Sequence, residues 1–100
     1  MSFEALAHPH RRKILEEIIK KGEVTPGDLL EKISISGPTM TTHLNTLFIG
    51  KLISKRRDQN HIFYRVNKKG MKDLHEYYMS LIGNHFRDGI NFQVIPDENN

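Results

Sequence analysis

The side chains with the most distinctive chemistry in this chain lie between residues 36 and 72. The stretch 36–50 carries no formal charge. Within it, Pro38, Thr41, Thr42 and Asn45 fall on one side at helical spacing, opposite Met40, Leu44 and Leu47. Directly afterwards the charge changes. Lys51, Lys55, Arg56, Arg57, Arg65, Lys68, Lys69 and Lys72 stand against the single acid Asp58. That local excess is more than twice the net charge of +3 carried by the whole chain. A basic stripe can be no more than a solvated surface, but one placed beside an uncharged polar face is also the electrostatic footprint of a polyanion partner. Catalytic chemistry is poorly supplied. There is no cysteine, hence no thiolate nucleophile, thiolate metal cage or disulfide. No serine, histidine and acid stand at motif spacing, and no glycine-rich phosphate loop is present. An enzyme is not expected, and neither is a cofactor.

The chain has 100 residues, enough for one small domain. A domain this short buries only about two-thirds of its unfolded surface, so a core shared with a second copy is expected. Hydrophobic residues make up 37% of the sequence. Its mean hydropathy is −0.54 and its pI about 9.3. No run approaches about 18 apolar residues, and the opening MSFEALAHPH lacks a signal-peptide pattern. A cytoplasmic protein without a membrane partner is therefore expected.

Several elements must position the polar face and the basic stripe. Phe3, Leu6 and Ala7 suit a short first helix. Pro9 opens a second over 9–21, with Ile14, Leu15, Ile18 and Ile19 as its apolar stripe and Gly22 as a left-handed cap. Val24 is a lone strand-favouring residue. Thr25 caps a short helix with Pro26 at its first position, Asp28 in its first turn and its end near Ile33. Ser36 caps the next, which Gly50 stops. The runs 52–57 and 61–66 read as a hairpin around Asp58, Gln59 and Asn60, with Asn60 the residue able to turn left-handed. Asn67 caps a last helix to about 86, with Met71, Leu74, Tyr78, Leu81, Ile82 and Phe86 on one stripe. The expected class is α+β, mainly α: a winged helix-turn-helix with a two-stranded wing. Residues 1–88 form the expected domain and 89–100 a tail.

These residues resemble the ArsR/SmtB family of bacterial winged-helix repressors. Residues 6–15 (LAHPHRRKIL) are similar to the family's opening L-x-D-P-x-R-x-x-I-L, and residues 36–47 (SGPTMTTHLNTL) to its recognition helix S-x-x-x-x-S-x-H-L-x-x-L. Arg56, Arg57 and Phe63–Arg65 resemble the wing. The likeness spans roughly residues 3–82 and is nearest to metal-independent autorepressors. Three positions depart from the pattern. His8 replaces the Asp that caps the second helix, which predicts a weaker cap. Thr41 replaces Ser, and Lys51 stands where Gly is common.

The resemblance implies a homodimer, formed by the first and last helices, that represses transcription at an inverted-repeat operator of double-stranded DNA. Phe3, Leu6, Met71, Leu74, Tyr78, Leu81 and Ile82 would form the dimer interface. Pro38, Thr39, Thr41, Thr42, His43 and Asn45 would face DNA: threonine hydroxyls and methyls suit base edges and asparagine suits adenine. The alternatives are capping or a solvated face for the threonines, and half-buried packing for His43. Lys55, Arg56 and Arg57, with Gln59, Asn60 and His61, would set the wing on the backbone or minor groove. Arg11 would support helix packing or touch phosphate. A protein-binding module is the rival from another class, favoured by Phe48 and Ile49. Metal-sensing relatives pair D-x-H with H-x-x-H or H-x-x-E on the last helix. Asp73, His75, His85 and Asp88 resemble that set, but their separation is one residue short, a rotation of about 100° on a helix. No metal is assigned to them, though such ligands suit zinc, cobalt or nickel. His8 and His10 are a weaker possibility. Nothing in the sequence names an inducer.

Overall fold

The computed structural model describes residues 4–87 of the chain. A 3-10 turn at Glu4–Leu6 leads into α1 (Pro9–Lys21), α2 (Pro26–Leu30) and α3 (Gly37–Ile49). The hairpin β1 (Ile53–Asp58) and β2 (His61–Val66) follows, then α4 (Lys68–Arg87). This is a mainly helical winged helix-turn-helix. Among the described residues no helix is long and apolar enough to cross a membrane.

Each helix starts where a side chain can serve its unpaired N–H groups. Thr25 and Asp28 form a reciprocal capping box, with Asp28 N–H donating to Thr25 Oγ1 at 3.1 Å and Thr25 N–H donating to Asp28 Oδ2 at 2.9 Å. Thr39 N–H donates to Ser36 Oγ at 3.2 Å, and Gly70 N–H to Asn67 Oδ1 at 3.1 Å. His8 also caps: its Nδ1 accepts from His10 N–H at 3.0 Å. Gly22 closes α1 with φ +88°, and its N–H reaches Ile18 O at 2.7 Å. The short helix stops at Leu30 and not near Ile33, whose N–H still bonds to Leu29 O at 2.9 Å.

The core lies where α1, α2, α3 and the hairpin converge. Ile14, Ile18, Leu29, Met40, Leu44, Leu47, Leu52 and Ile53 are fully buried there. Val24 joins the sheet through two hydrogen bonds with Tyr64, from Val24 N–H to Tyr64 O at 3.0 Å and from Tyr64 N–H to Val24 O at 2.7 Å. The strands pair from Ile53 with Val66 to Asp58 with His61, leaving Gln59 and Asn60 as a two-residue loop. The left-handed residue there is Gln59, at φ +57°, and not Asn60. The first position of a two-residue hairpin loop must turn left-handed in either favoured turn type, so loop geometry overrides the asparagine's preference.

A second backbone reversal joins α3 to β1 and packs against α4. Gly50 ends α3 with right-handed geometry, and the left-handed step falls on Lys51, at φ +65°. The carbonyl oxygen of Lys51 lies so close to Gly70 that a Cβ there would overlap it. The glycine that the family pattern favours at position 51 thus has a physical purpose. Lys51→Gly is expected to stabilise the fold by about 1 kcal/mol, and Gly70→Ala to destabilise it by about 2–3 kcal/mol. Urea unfolding of the two variants beside the parent checks both signs.

Candidate nucleic-acid interface

The inward side of α3 holds the helix in place. Met40, Leu44 and Leu47 lie in the core, and His43 is buried beside them. This leaves Pro38, Thr39, Thr41, Thr42 and Asn45 in solvent. Thr39 and Thr42 are partly engaged within the chain. Ser36 Oγ donates to Thr39 Oγ1 at 2.9 Å, and Thr42 Oγ1 donates to Pro38 O at 3.1 Å. Among the described residues no hydrogen bond holds the side chain of Thr41 or Asn45. The exposed face therefore offers an amide, hydroxyls and threonine methyls without charge, matching the donors, acceptors and methyl groups of base edges.

His43 does not share that face. Its ring lies 4.6 Å from that of His8, and its Nδ1 is 3.3 Å from Arg11 Nη1. Arg11 Nε also donates to Ala5 O at 2.8 Å, so this arginine ties the N-terminal turn, α1 and α3 together. His43 is thus buried beside the core side of α3, and Arg11 joins the N-terminal turn to α3. Burial first, then the nearby charges of His8, Arg11 and His10, hold the His43 imidazole below histidine's usual range, which leaves it neutral at pH 7.

The wing carries its cations in two ways. Lys55, Arg57, Gln59, Asn60 and His61 are exposed, with Lys55 Nζ 4.5 Å above the Phe48 ring. Arg56 is exposed but already engaged. Its Nε donates to Glu23 Oε2 at 2.8 Å and its Nη2 to Glu23 Oε1 at 2.9 Å, a bidentate pair. The guanidinium also lies 4.4 Å from the Phe63 ring centroid. Arg56 thus braces β1 against the segment before α2, with part of its charge answered inside the chain. Sequence spacing gave no sign of this partner, which is 33 positions away.

The residues assigned to a dimer interface divide. Leu74 is buried in its own core, with Leu6 and Met71 packed against it half-buried. Tyr78 and Leu81 are 50% and 48% exposed, and Ile82 is half-buried. Phe3 lies outside the described residues. A groove of about 350 Å³ runs between Leu6, Met71, Leu74, His75 and Tyr78. Of the four residues resembling a metal set, Asp73 pairs with Lys69 at 3.1 Å and His75 is exposed. The His85 side chain and Asp88 lie outside the described residues, as does the expected tail.

The comparisons with known proteins agree with this geometry. The family described as a helix-turn-helix domain matches residues 6–52. The transcriptional repressor SdpR of Bacillus subtilis is 36% identical over 80 residues, covering 80% of this chain and 88% of SdpR. The arsenical resistance operon repressor of Staphylococcus aureus is 32% identical over 72 residues, covering 72% of this chain and 68% of the repressor. The chain belongs to the ArsR family of winged helix-turn-helix repressors. An ArsR-like regulator from Rhodococcus sp. RHA1 shares the fold, with a TM-score of 0.77 at 21% identity over 86% of this chain and 78% of its own.

Hydrogen bonding from Arg56, and then its charge, hold the Glu23 carboxyl below the usual glutamate range. Because the folded value is depressed, the pair's contribution is present above the ordinary glutamate range and is lost as pH falls through the lowered value. Arg56→Ala is expected to return the Glu23 titration towards that ordinary range. NMR of the Glu23 carboxyl carbon measures it, and an unmoved midpoint would show the pair to be absent in solution.

Proposed function

We propose that this ArsR-family protein acts as a homodimeric transcriptional repressor in the cytoplasm, binding an inverted-repeat operator in double-stranded DNA. One observation carries the reading: an uncharged Thr41, Thr42 and Asn45 face, fixed from behind by a buried helix side, stands next to a basic hairpin. Such a helix reads base edges in the major groove, while the wing holds phosphates. In this division Thr41, Thr42 and Asn45 discriminate, with Pro38 and Thr39 at the helix start against the backbone. Lys55, Arg57 and the Gln59–His61 tip supply the position. His43 acts from inside the fold, and Arg56 acts mainly as a brace.

The dimer reading rests on α4. Among the described residues, Tyr77, Tyr78, Met79 and Leu81 are all large and substantially exposed. A two-fold partner would bury Tyr78, Leu81 and Ile82 in an isologous contact beside the groove at Leu6 and Met71. The two recognition helices would then meet successive major grooves about 34–36 Å apart. Ile49, 77% exposed at the end of α3, supports a second reading in which this helix meets a protein.

Gel shift with the DNA upstream of the protein's own gene separates the two readings: a specific shift is expected, and none with any duplex at low salt sinks the DNA reading. Lys55→Ala with Arg57→Ala should weaken binding to all duplexes and flatten the salt dependence by about 0.9 per lost phosphate contact. Thr42→Ala or Asn45→Ala should instead cost about 1–3 kcal/mol of preference between sequences. Tyr78→Arg with Leu81→Arg should yield monomers in sedimentation and abolish cooperative operator binding. A variant that stays dimeric would move the interface elsewhere.

A further inference from the structure

Three imidazoles meet behind the DNA-facing surface, at the start of α1 and the middle of α3. His8 caps α1, His10 lies in the first turn of α1, and His43 comes from the middle of α3. Each offers one ring nitrogen, and these atoms lie within 4.8 Å of one another. The ring centroids are 4.6 Å apart for His8 and His43, 5.0 Å for His8 and His10, and 5.8 Å for His10 and His43. We propose that His8, His10 and His43 form a three-imidazole site for a divalent transition-metal ion such as zinc, cobalt or nickel.

Nitrogens bound at about 2.0–2.1 Å around a tetrahedral ion sit roughly 3.4 Å apart. With the nitrogens within 4.8 Å of one another, closing to that distance needs a contraction of up to about 1.4 Å, within reach of rotation about imidazole side-chain torsions. His10 starts unencumbered, since no hydrogen bond of its ring occurs among the described residues. The donor set is all imidazole, which selects borderline ions over magnesium or calcium, and three ligands leave a fourth position open. The nearby Arg11 guanidinium repels a dication and limits the affinity. This set is separate from Asp73 and His75 on α4.

The ion has a definite competitor. His8 Nδ1 accepts from His10 N–H, and His43 Nδ1 faces an Arg11 donor, so each neutral ring carries its proton on Nε2. A metal on Nδ1 displaces the donor. A metal on Nε2 moves the ring proton to Nδ1, where it confronts another N–H. On either course the α1 cap and the Arg11–His43 contact are lost. The metal site stands without the DNA reading; its consequence for the recognition helix rests on that reading. An ion there exchanges the Arg11–His43 contact for coordination bonds that tie the back of α3 to the start of α1, and by linkage DNA and metal then alter each other's affinity.

The test uses the full chain, free of any histidine tag, titrated with Co²⁺ and followed by visible absorption, then by displacement with Zn²⁺. One equivalent per chain is expected. His10→Ala should lower Co²⁺ affinity at least about 10-fold without moving the unfolding midpoint, and His43→Gln should lower it to the same extent. His61→Ala and His75→Ala should leave it unchanged. No Co²⁺ binding by the parent chain, binding that survives both His10→Ala and His43→Gln, or binding lost in His75→Ala overturns the site. The titration contains no DNA, so a failed gel shift with intact Co²⁺ binding removes the repressor reading alone.

Discussion

The buried side of α3 is the constraint on which the rest depends. A helix that reads base edges with neutral side chains gains little long-range electrostatic guidance from them, so it must be held at the correct angle by the fold. Met40, Leu44 and Leu47 supply that hold by fitting among Ile14, Ile18, Leu29 and Ile53. Each fully buried side chain of this size contributes about 1.5–3 kcal/mol relative to exposure, far more than any surface pair. The orientation of Thr41, Thr42 and Asn45 is thus a product of packing, and the polar face is free to carry sequence preference.

Charge is placed with the same economy. The basic stripe of residues 51–72 lies on the hairpin and its flanks, while the recognition helix has no formal charge. The Glu23–Arg56 pair commits one of them to stiffening the wing, which leaves Lys55 and Arg57 as the outward cations of β1. The left-handed Lys51 and the close approach of Gly70 then fix where α4 departs from the winged unit. Through that joint, any contact made by the exposed side of α4 would set the spacing of two recognition helices.

Much of this was legible in the sequence. Pro9, Pro26 and Pro38, each one or two residues after a capping residue, mark three helix starts, and all three hold. The change from helical to strand periodicity at Leu52 marks the hairpin. Contacts between distant segments were not legible. Nothing local ties Glu23 to Arg56, or His43 to the histidines that flank Pro9. Position 60 shows a different limit: asparagine tolerates left-handed geometry, but strand register assigns that geometry to Gln59. His43 shows a third. Helix spacing placed it at the border of the two faces, and only the neighbouring N-terminal turn decides that it lies inside.

Recognition by the neutral face of α3 is tested most directly by mapping amide and side-chain NMR shifts on a selected operator duplex and on a scrambled duplex of equal length. Lys55, Arg57 and the wing tip are expected to respond to both duplexes, while Thr41, Thr42 and the Asn45 side-chain amide respond strongly to the operator alone. Equal responses of α3 to both duplexes, or operator shifts centred on Phe48 and Ile49 with Thr41, Thr42 and Asn45 unmoved, would contradict it.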